Sequence, residues 1–226
     1  MRVTPASSSA AHTADCVIFG FAEDELRVLL VRRAVAPYAG AWMLPGGAMG
    51  AEETLELTAQ RVLLEMVGVE DVQLEQVTTY SHPQRHPVRR VVTTSFYALV
   101  KPDNHTPVAR GYLSDAAWFS LAAVPTLGFD HDRLLADAHR RLMLDVQTRP
   151  LAFDLLPDRF TLTEAQRLYE NILGEALDRR NFRRKIGGYS FLIDTQEKRP
   201  GVKGGPSLYR IDRDLLRKSL NAAAER

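Results

Sequence analysis

The sequence predicts an α+β protein in which a mixed first domain is followed by a helical second domain that ends in a hairpin. Three observations lead to this prediction. Apolar runs typical of strands fill the first half of the chain, two amphipathic helical segments interrupt them, and the last third has a different order of elements. The predicted division is a flexible tail over residues 1–13, a first domain over residues 14–149 and a second domain over residues 150–226.

In the first domain, strands surround two predicted helices. Alternating apolar runs at residues 15–21 and 26–33 flank a turn-like segment, which predicts a hairpin. Apolar side chains recur at helical spacing over residues 54–66, and Gly68 can cap the end of that helix. Further strands are predicted at residues 72–81, 91–100 and 116–124, and a second helix at residues 131–148.

The second domain has the element order of a winged helix-turn-helix. Residues 161–173 place apolar side chains on one helical face, and either Thr161 or Thr163 can cap its start. Asp178 can cap a short second helix over residues 179–186. A hairpin then follows, with strands predicted at residues 189–195 and 207–212.

Composition is typical of a globular protein that does not enter a membrane. Hydrophobic residues make up 45% of the chain and charged residues 25%, which argues against disorder. No stretch approaches the roughly 20 apolar residues of a spanning helix. The N-terminal residues lack the apolar segment of a signal peptide, so we expect a cytoplasmic protein.

The net charge of +1 hides a difference between the two predicted domains. Residues 1–150 hold 14 basic and 17 acidic side chains, a net charge of −3, whereas residues 151–226 hold 15 and 11, a net charge of +4. Residues 178–203 alone hold 8 basic and 3 acidic side chains, a net charge of +5. The second domain is therefore expected to meet an anionic partner.

A set of fixed spacings follows the segment LPGG at residues 44–47. Gly47, Glu53, Arg61, Glu65 and Gly68 are spaced as in the signature G-x5-E-x7-R-E-U-x-E-E-x-G-U, where U is a bulky aliphatic residue. The segment therefore resembles the Nudix box. An accidental match is the alternative, and the number of coinciding positions argues against it.

The resemblance implies pyrophosphate cleavage with magnesium or manganese held by glutamates on one helical face. Positions 62, 65 and 66 converge on that face, and the family pattern has Glu at all three. Here Val62 and Met66 leave Glu65 alone, and one carboxylate holds a hard dication poorly. We therefore predict no catalytic and no metal-binding residues. The alternative is a metal site rebuilt from the neighbouring carboxylates Glu52, Glu56 or Glu70.

The short second helix of the second domain carries the strongest binding signal. Phe182 and Ile186 are four residues apart and can anchor it, while its basic side chains project from other faces. Guanidinium and amide groups match base edges, and basic side chains contact phosphates. A solvated basic helix is the alternative, and the helix-turn-helix spacing argues against it. The predicted DNA-binding residues are Arg179, Arg180, Asn181, Arg183, Arg184, Lys185, Lys198, Arg199 and Lys203.

Over residues 14–212 the chain resembles the Nudix-related transcriptional regulators (NrtR type) and their arabinose-responsive relatives. Residues 15–21, the degenerate box at residues 61–69 and, above all, residues 160–186 carry the resemblance. It implies a Nudix-like α/β/α sandwich followed by a C-terminal winged helix-turn-helix domain. It also implies a homodimeric repressor that binds a palindromic operator and is released by a small ligand.

Within this family, NrtR-type members respond to ADP-ribose and control NAD metabolism genes, whereas their relatives respond to sugars and control sugar utilisation. Val62 and Met66 suggest a chain closer to the sugar-responsive relatives. The expected partners are an operator duplex, a small-molecule effector such as ADP-ribose, a nucleotide or a sugar, and a second copy of the chain. No cofactor is expected to be required.

Candidate effector-binding residues surround the loop in which Nudix domains hold a substrate. Trp42 can stack on a base or sugar, or belong to the core. His131 can face the pocket or cap the helix that it begins. The predicted effector-binding set is Arg32, Arg33, Trp42, Gly46, Gly47, Glu65, Arg85, Arg90 and His131.

The loop SHPQRHP at residues 81–87 is a poor metal site because prolines break it. It can instead contribute to a phosphate-binding rim, and a solvated loop is the alternative. The rim candidates are His82, Arg85, His86, Arg89 and Arg90.

Two functions compete with the ligand-responsive repressor. One is an active Nudix hydrolase of ADP-ribose-like nucleoside diphosphate derivatives. The other is a catalytically silent nucleotide-binding adaptor whose basic segment contacts RNA or another protein.

Overall fold

The structure, a computed structural model, describes residues 9–105, 107–200 and 204–224. Residues 1–8 of the predicted tail and the candidate DNA contact Lys203 lie outside the described residues. The first strand begins at Ala11, so residues 11–13, predicted as part of the flexible tail, belong to a strand instead.

The chain divides into two compact units. One comprises the described residues up to Ile18 together with Val28–Ala98 and His105–Ala138, and the other comprises Phe19–Arg27, Leu99–Asn104 and the described residues from His139 onward. Each unit therefore includes segments that are distant in sequence. A single boundary at residue 149, as the sequence predicts, remains a prediction.

Seven strands of the described chain form one sheet with the order β3-β2-β1-β6-β5, to which β4 and β7 add by pairing with β1 and β2. The predicted hairpin is present as β1 and β2. β3 and β4 are too short for an alternating pattern, so the sequence did not predict them. The strands are β1 (Ala11–Ala22), β2 (Glu25–Arg33), β3 (Trp42–Met43), β4 (Gly46–Ala48), β5 (Glu75–Tyr80), β6 (Val91–Leu99) and β7 (Leu113–Ser120).

The first helix, α1 (Leu55–Val67), forms where the apolar spacing predicted it. The Thr54 hydroxyl accepts a hydrogen bond from the Leu57 amide and caps its start. At its end Gly68 adopts a left-handed conformation with φ of 72°, which glycine takes without steric cost. The helix buries Val62 and Leu63 among other residues, so the box lies on a well-packed element.

The second predicted helix is present as α2 (His131–Thr148), and a turn of 3-10 helix at Leu151–Leu155 follows it. No helix among the described residues has the length and apolar character needed to cross a membrane.

The second unit contains the predicted helix-turn-helix and hairpin. Helix α3 (Leu162–Leu173) begins with a capping box formed by Thr161 and Glu164. Helix α4 (Arg179–Ile186) is capped by Asp178, whose carboxylate accepts a hydrogen bond from the Asn181 amide. Strands β8 (Leu192–Lys198) and β9 (Ser207–Ile211) pair in antiparallel fashion. The winged helix-turn-helix order is therefore confirmed.

A fifth helix, α5 (Arg213–Ala224), follows the hairpin and was not predicted. The sequence features that indicate this helix are an N-terminal cap and one pair of apolar residues, which span only a short segment. The Asp212 carboxylate accepts hydrogen bonds from the amides of Asp214 and Leu215, and Leu216 and Leu220 are buried four residues apart.

Candidate functional site

An ion pair between Glu53 and Arg61 ties the loop before α1 to the helix. Arg61 donates to both carboxylate oxygens of Glu53, at 2.5 and 2.8 Å, and the Gly50 amide and the Thr58 hydroxyl donate to the same carboxylate at 2.8 and 3.0 Å. The hydrogen bonds from Arg61 and Gly50 lower the pKa of Glu53 to about 2. As the family resemblance implies, this pair braces the loop.

The helical face that carries metal ligands in Nudix enzymes is largely apolar here. Val62 is 1% exposed, Met66 is half-buried, and Glu65 is exposed, with one carboxylate oxygen accepting from Arg61 at 3.2 Å. Glu52, Glu56 and Glu70 do not line the adjoining cavity. Within the described part of the chain, no group of three or more His, Cys, Asp or Glu side chains could hold a metal ion. The residues present do not fit a Nudix magnesium site.

A cavity of about 460 Å³ lies in the first unit beside α1. Its size is within the range of small-molecule sites in proteins. Of the predicted effector-binding residues, those that line it are Arg33, Gly46, Gly47, Glu65, Arg85 and His131. Arg32, Trp42 and Arg90 are not among the lining residues.

A buried charge network forms one wall of the cavity. The Arg85 guanidinium donates to both carboxylate oxygens of Asp130, at 3.0 and 2.7 Å, and lies 3.6 Å from a carboxylate oxygen of Asp15. The Thr93 hydroxyl lies 2.7 Å from the same oxygen of Asp15. Asp15 is only 6% exposed, so the network compensates a charge that would be costly to bury alone. Arg85 is thereby fixed and its charge neutralised.

His131 faces this network rather than solvent. Its Nδ1 accepts a hydrogen bond from the Leu44 amide at 3.0 Å, and its Nε2 lies 3.8 Å from Asp15. Burial lowers the pKa of His131, which favours the neutral ring. A neutral ring that accepts at Nδ1 carries its proton on Nε2. His131 therefore holds the LPGG loop in place and lines the cavity.

Gly46 allows the LPGG loop to approach Asp15. A Cβ atom at position 46 would lie 1.8 Å from a carboxylate oxygen of Asp15, a distance that no packing adjustment of a few tenths of an ångström could relieve. At Gly47 the corresponding atom would lie 2.7 Å from the Val62 side chain. Both glycines are required by close packing. Sequence reasoning missed Asp15, whose only signal is an acidic residue at the start of an apolar strand.

Aromatic rings form a second wall. The Arg33 guanidinium carbon lies 5.1 Å from the ring centre of Tyr112 and 5.8 Å from that of Phe129. The rings of Phe129 and His86 are stacked, with centroids 5.3 Å apart. Phe129 has φ of 60°, a strained conformation that is enriched at binding sites. Sequence reasoning missed Tyr112 and Phe129 because they lie in loops without a periodic pattern.

The remaining candidates of the first unit lie apart from the cavity lining. Trp42 packs edge-on against Phe119 with ring centres 4.8 Å apart, which favours its core interpretation. Arg32 donates to the Gly40 carbonyl at 2.9 Å, and Arg90 donates to the Ser81 carbonyl at 2.7 Å. Of the rim candidates, Arg85, His86 and Arg89 line the cavity, whereas His82 does not.

Helix α4 in the second unit presents a cationic surface. Phe182 and Ile186 are buried, at 6% and 1% exposure, and Phe182 packs against Tyr169 with ring centres 5.4 Å apart. These two residues anchor the helix as predicted. Its other six side chains are exposed: Arg179, Arg180, Asn181, Arg183, Arg184 and Lys185.

The basic side chains of the second unit differ in their local partners. Arg184 donates to the Asn181 side chain at 3.0 Å, Lys185 to the Gln147 carbonyl at 3.0 Å, and Lys198 to the Ser207 hydroxyl at 2.7 Å. Arg199 forms an ion pair with Glu164 at 2.6 Å. The side chains of Arg179, Arg180 and Arg183 have no hydrogen-bond or ion-pair partner among the described residues. These three remain available to an anionic partner.

Two protein families match separate parts of the chain. The NUDIX domain family matches residues 11–138, and the NrtR DNA-binding winged helix domain family matches residues 152–211. The chain is 33% identical over 203 residues to an ADPR-responsive transcriptional repressor of Acinetobacter baylyi, covering 88% of this chain and 81% of that protein.

Two solved structures from Shewanella oneidensis are also similar. One is NrtR complexed with a 27mer DNA, with a TM-score of 0.78 and 32% identity, covering 91% of this chain and 95% of that one. The other is the NUDIX domain of NrtR complexed with ADP ribose, with a TM-score of 0.55 and 34% identity, covering 59% of this chain and 89% of that one.

Proposed function

The chain belongs to the family of Nudix-related transcriptional regulators of the NrtR type, and from this we propose that it is an ADP-ribose-responsive repressor. The observation that carries the proposal is the 33% identity to an ADPR-responsive repressor over 88% of this chain, which includes both units. The first unit would bind the effector and the second would bind the operator.

The basic surface of α4 supports the operator-binding role. Its exposed guanidinium groups can donate two hydrogen bonds to guanine or contact phosphates, and Asn181 can pair with adenine. The similar Shewanella protein was solved with DNA bound. We propose that Arg179, Arg180 and Arg183 contact the DNA directly, because their side chains form no hydrogen bond or ion pair with any described residue.

The cavity in the first unit supports ADP-ribose more than a sugar. A sugar would be recognised by hydroxyl-binding polar groups, whereas this cavity combines aromatic rings for a base with several guanidinium groups for phosphates. Two of the relatives named above carry ADP-ribose in their descriptions. These observations favour ADP-ribose over the sugar effector that Val62 and Met66 suggest. Genes of NAD metabolism are accordingly the proposed targets.

The first unit is proposed to sense its ligand without hydrolysing it. Val62 and Met66 take the places of two carboxylates that bind metal in Nudix enzymes, and Val62 is buried in the helix packing. A buried valine offers no ligand to Mg²⁺, which prefers oxygen.

The proposed working form is a cytoplasmic homodimer. Helix-turn-helix dimers place two recognition helices on half-sites about one helical turn apart, and this geometry suits a palindromic operator. Effector binding would change the fit of the two recognition helices to the half-sites and release the DNA.

Fluorescence anisotropy of a labelled duplex tests the function. A duplex from the region upstream of the chain's own gene should bind with nanomolar affinity, and ADP-ribose should release it. A scrambled duplex of the same length and composition is the matched control. Equal affinity for both duplexes, or no release by ADP-ribose, would overturn the proposal. Sedimentation of the free protein checks the dimer.

A further inference from the structure

Four guanidinium groups line the cavity of the first unit, and two of them have no carboxylate partner within the part of the chain that the structure describes. The Arg61 side chain pairs with Glu53 and Glu65, and the Arg85 side chain pairs with Asp130 and Asp15. The positive charge of these two residues is therefore already neutralised. Arg33 and Arg89 also line the cavity and have no ion-pair partner among the described residues.

Arg33 is held in position while part of its donor capacity stays open. Its Nε donates to the Pro37 carbonyl at 2.7 Å, and one terminal nitrogen donates to the Ala36 carbonyl at 3.3 Å. A guanidinium has five N–H groups, so further donors remain for a ligand. The rings of Tyr112 and Phe129 lie beside the guanidinium, within cation–π distance of it. The Arg33 guanidinium is therefore held by the backbone beside the cavity and keeps donors that an anion could use.

Arg89 approaches the cavity from the loop between β5 and β6. Its side chain is exposed, and the His86 ring nitrogen accepts from its backbone amide at 3.3 Å. Burial and the nearby guanidinium groups of Arg89, Arg33 and Arg85 lower the pKa of His86. The two uncompensated arginines thus share one neighbourhood at the stacked rings of His86 and Phe129.

In Nudix enzymes the charge of a diphosphate is neutralised by divalent cations, and the residues of this chain do not fit such a site. We propose that Arg33 and Arg89 bind the diphosphate of the effector in place of the cation, so that effector binding requires no metal. The proposal rests on the proposed function and deepens it. It assigns the diphosphate to two arginines: Arg33, a predicted effector-binding residue, and Arg89, a candidate for the phosphate-binding rim.

Isothermal titration calorimetry of the full chain with ADP-ribose tests the metal requirement. The dissociation constant should be the same within about twofold in MgCl2 and in excess EDTA. Binding that is lost in EDTA and restored by Mg²⁺ would overturn the inference and leave the proposed function standing. Absence of binding in both buffers would overturn the proposed function itself, and the inference with it.

Two pairs of neighbouring arginines supply matched variants. Arg33→Gln and Arg89→Gln should each weaken ADP-ribose binding about tenfold or more, because each removes charge-assisted hydrogen bonds. Arg32→Gln and Arg90→Gln remove the same charge from adjacent positions outside the cavity lining and should leave the affinity unchanged. Equal effects in both pairs would contradict a specific role.

Adenosine, a ligand without phosphates, distinguishes a variant that has lost phosphate binding from one that has misfolded. Adenosine binding should be affected little by Arg89→Gln, because the substitution removes a phosphate-binding group only. Arg33 contacts the backbone, so its variant could lose stability, whereas Arg89 is exposed and its variant should keep the melting temperature of the parent. Unchanged ADP-ribose affinity in a folded Arg89→Gln protein would refute the assignment.

Discussion

Arg199, the residue after β8, forms an ion pair with Glu164 at the start of α3, with 2.6 Å between the guanidinium nitrogen and the carboxylate oxygen. The same oxygen of Glu164 accepts from the Thr161 amide at 2.7 Å and completes the capping box. One carboxylate therefore caps the first helix of the helix-turn-helix and also binds Arg199, where the chain leaves strand β8 of the hairpin. Arg199 was predicted as a DNA contact, and this geometry favours a positioning role.

The salt dependence of operator binding distinguishes the two roles of Arg199. A side chain that contacts a phosphate contributes about one to the slope of log K against log salt concentration. Arg199→Gln should therefore leave the slope unchanged, whereas Lys198→Gln should reduce it by about one, because Lys198 is exposed. A reduced slope in Arg199→Gln would restore its assignment as a DNA contact.

The Glu53 and Arg61 pair predicts a specific pH dependence of stability. The pKa of Glu53 falls from its ordinary value of 4.5 to about 2 in the folded chain, chiefly through hydrogen bonds from Arg61. A lowered folded pKa stabilises the fold above the unfolded value, and this contribution is lost as the pH falls from 4.5 toward 2.

Urea unfolding of the parent and of Glu53→Gln measures this contribution. The difference between their free energies of unfolding should be constant above pH 4.5 and should shrink as the pH falls through the window toward 2. A difference that does not change with pH would mean that the carboxylate charge adds nothing to the brace.

Much of the fold could be predicted because its local signals agree with its packing. The caps at Thr161, Asp178 and Gly68 and the anchors Phe182 and Ile186 are encoded within one or two helical turns. Local sequence specifies such features directly. Helix α5 escaped prediction because its apolar positions are few and its cap follows directly on a strand.

The cavity was harder to predict because its walls come from distant segments. Asp15, Arg85 and His131 meet only through the fold, and no spacing in the chain links them. Arg33 was a candidate, but its rings, Tyr112 and Phe129, lie more than 75 residues further along the sequence. Single-sequence patterns identify charges and aromatic residues, and only the three-dimensional structure shows which charges are compensated.

The apolar helical face predicts that the chain does not hydrolyse ADP-ribose. Incubation of the full chain with ADP-ribose and millimolar MgCl2 should release no AMP, because Val62 and Met66 provide no oxygen ligand beside Glu65. An active Nudix hydrolase, assayed in parallel, shows that the conditions allow turnover. AMP release that depends on magnesium and disappears in Glu65→Gln would identify the chain as an enzyme instead.

The exposed side chains of α4 that have no described partner lead to a prediction about which residue recognises a base of the operator. Arg180 is exposed on the face of α4 away from Phe182, and its side chain forms no hydrogen bond or ion pair with a described residue. If Arg180 reads a base, Arg180→Ala should weaken operator binding by about 1 to 3 kcal/mol and relax specificity at one base pair. Anisotropy titrations against duplexes substituted at each operator position measure both effects.

Two comparisons make the Arg180 measurement decisive. Arg32→Ala removes the same charge from the first unit, so it should change operator affinity little. A phosphate contact would instead weaken binding equally for every duplex and lower the salt slope. Uniform weakening in Arg180→Ala, without a change in base preference, would assign Arg180 to the backbone and leave Asn181 and Arg183 as the base-reading candidates.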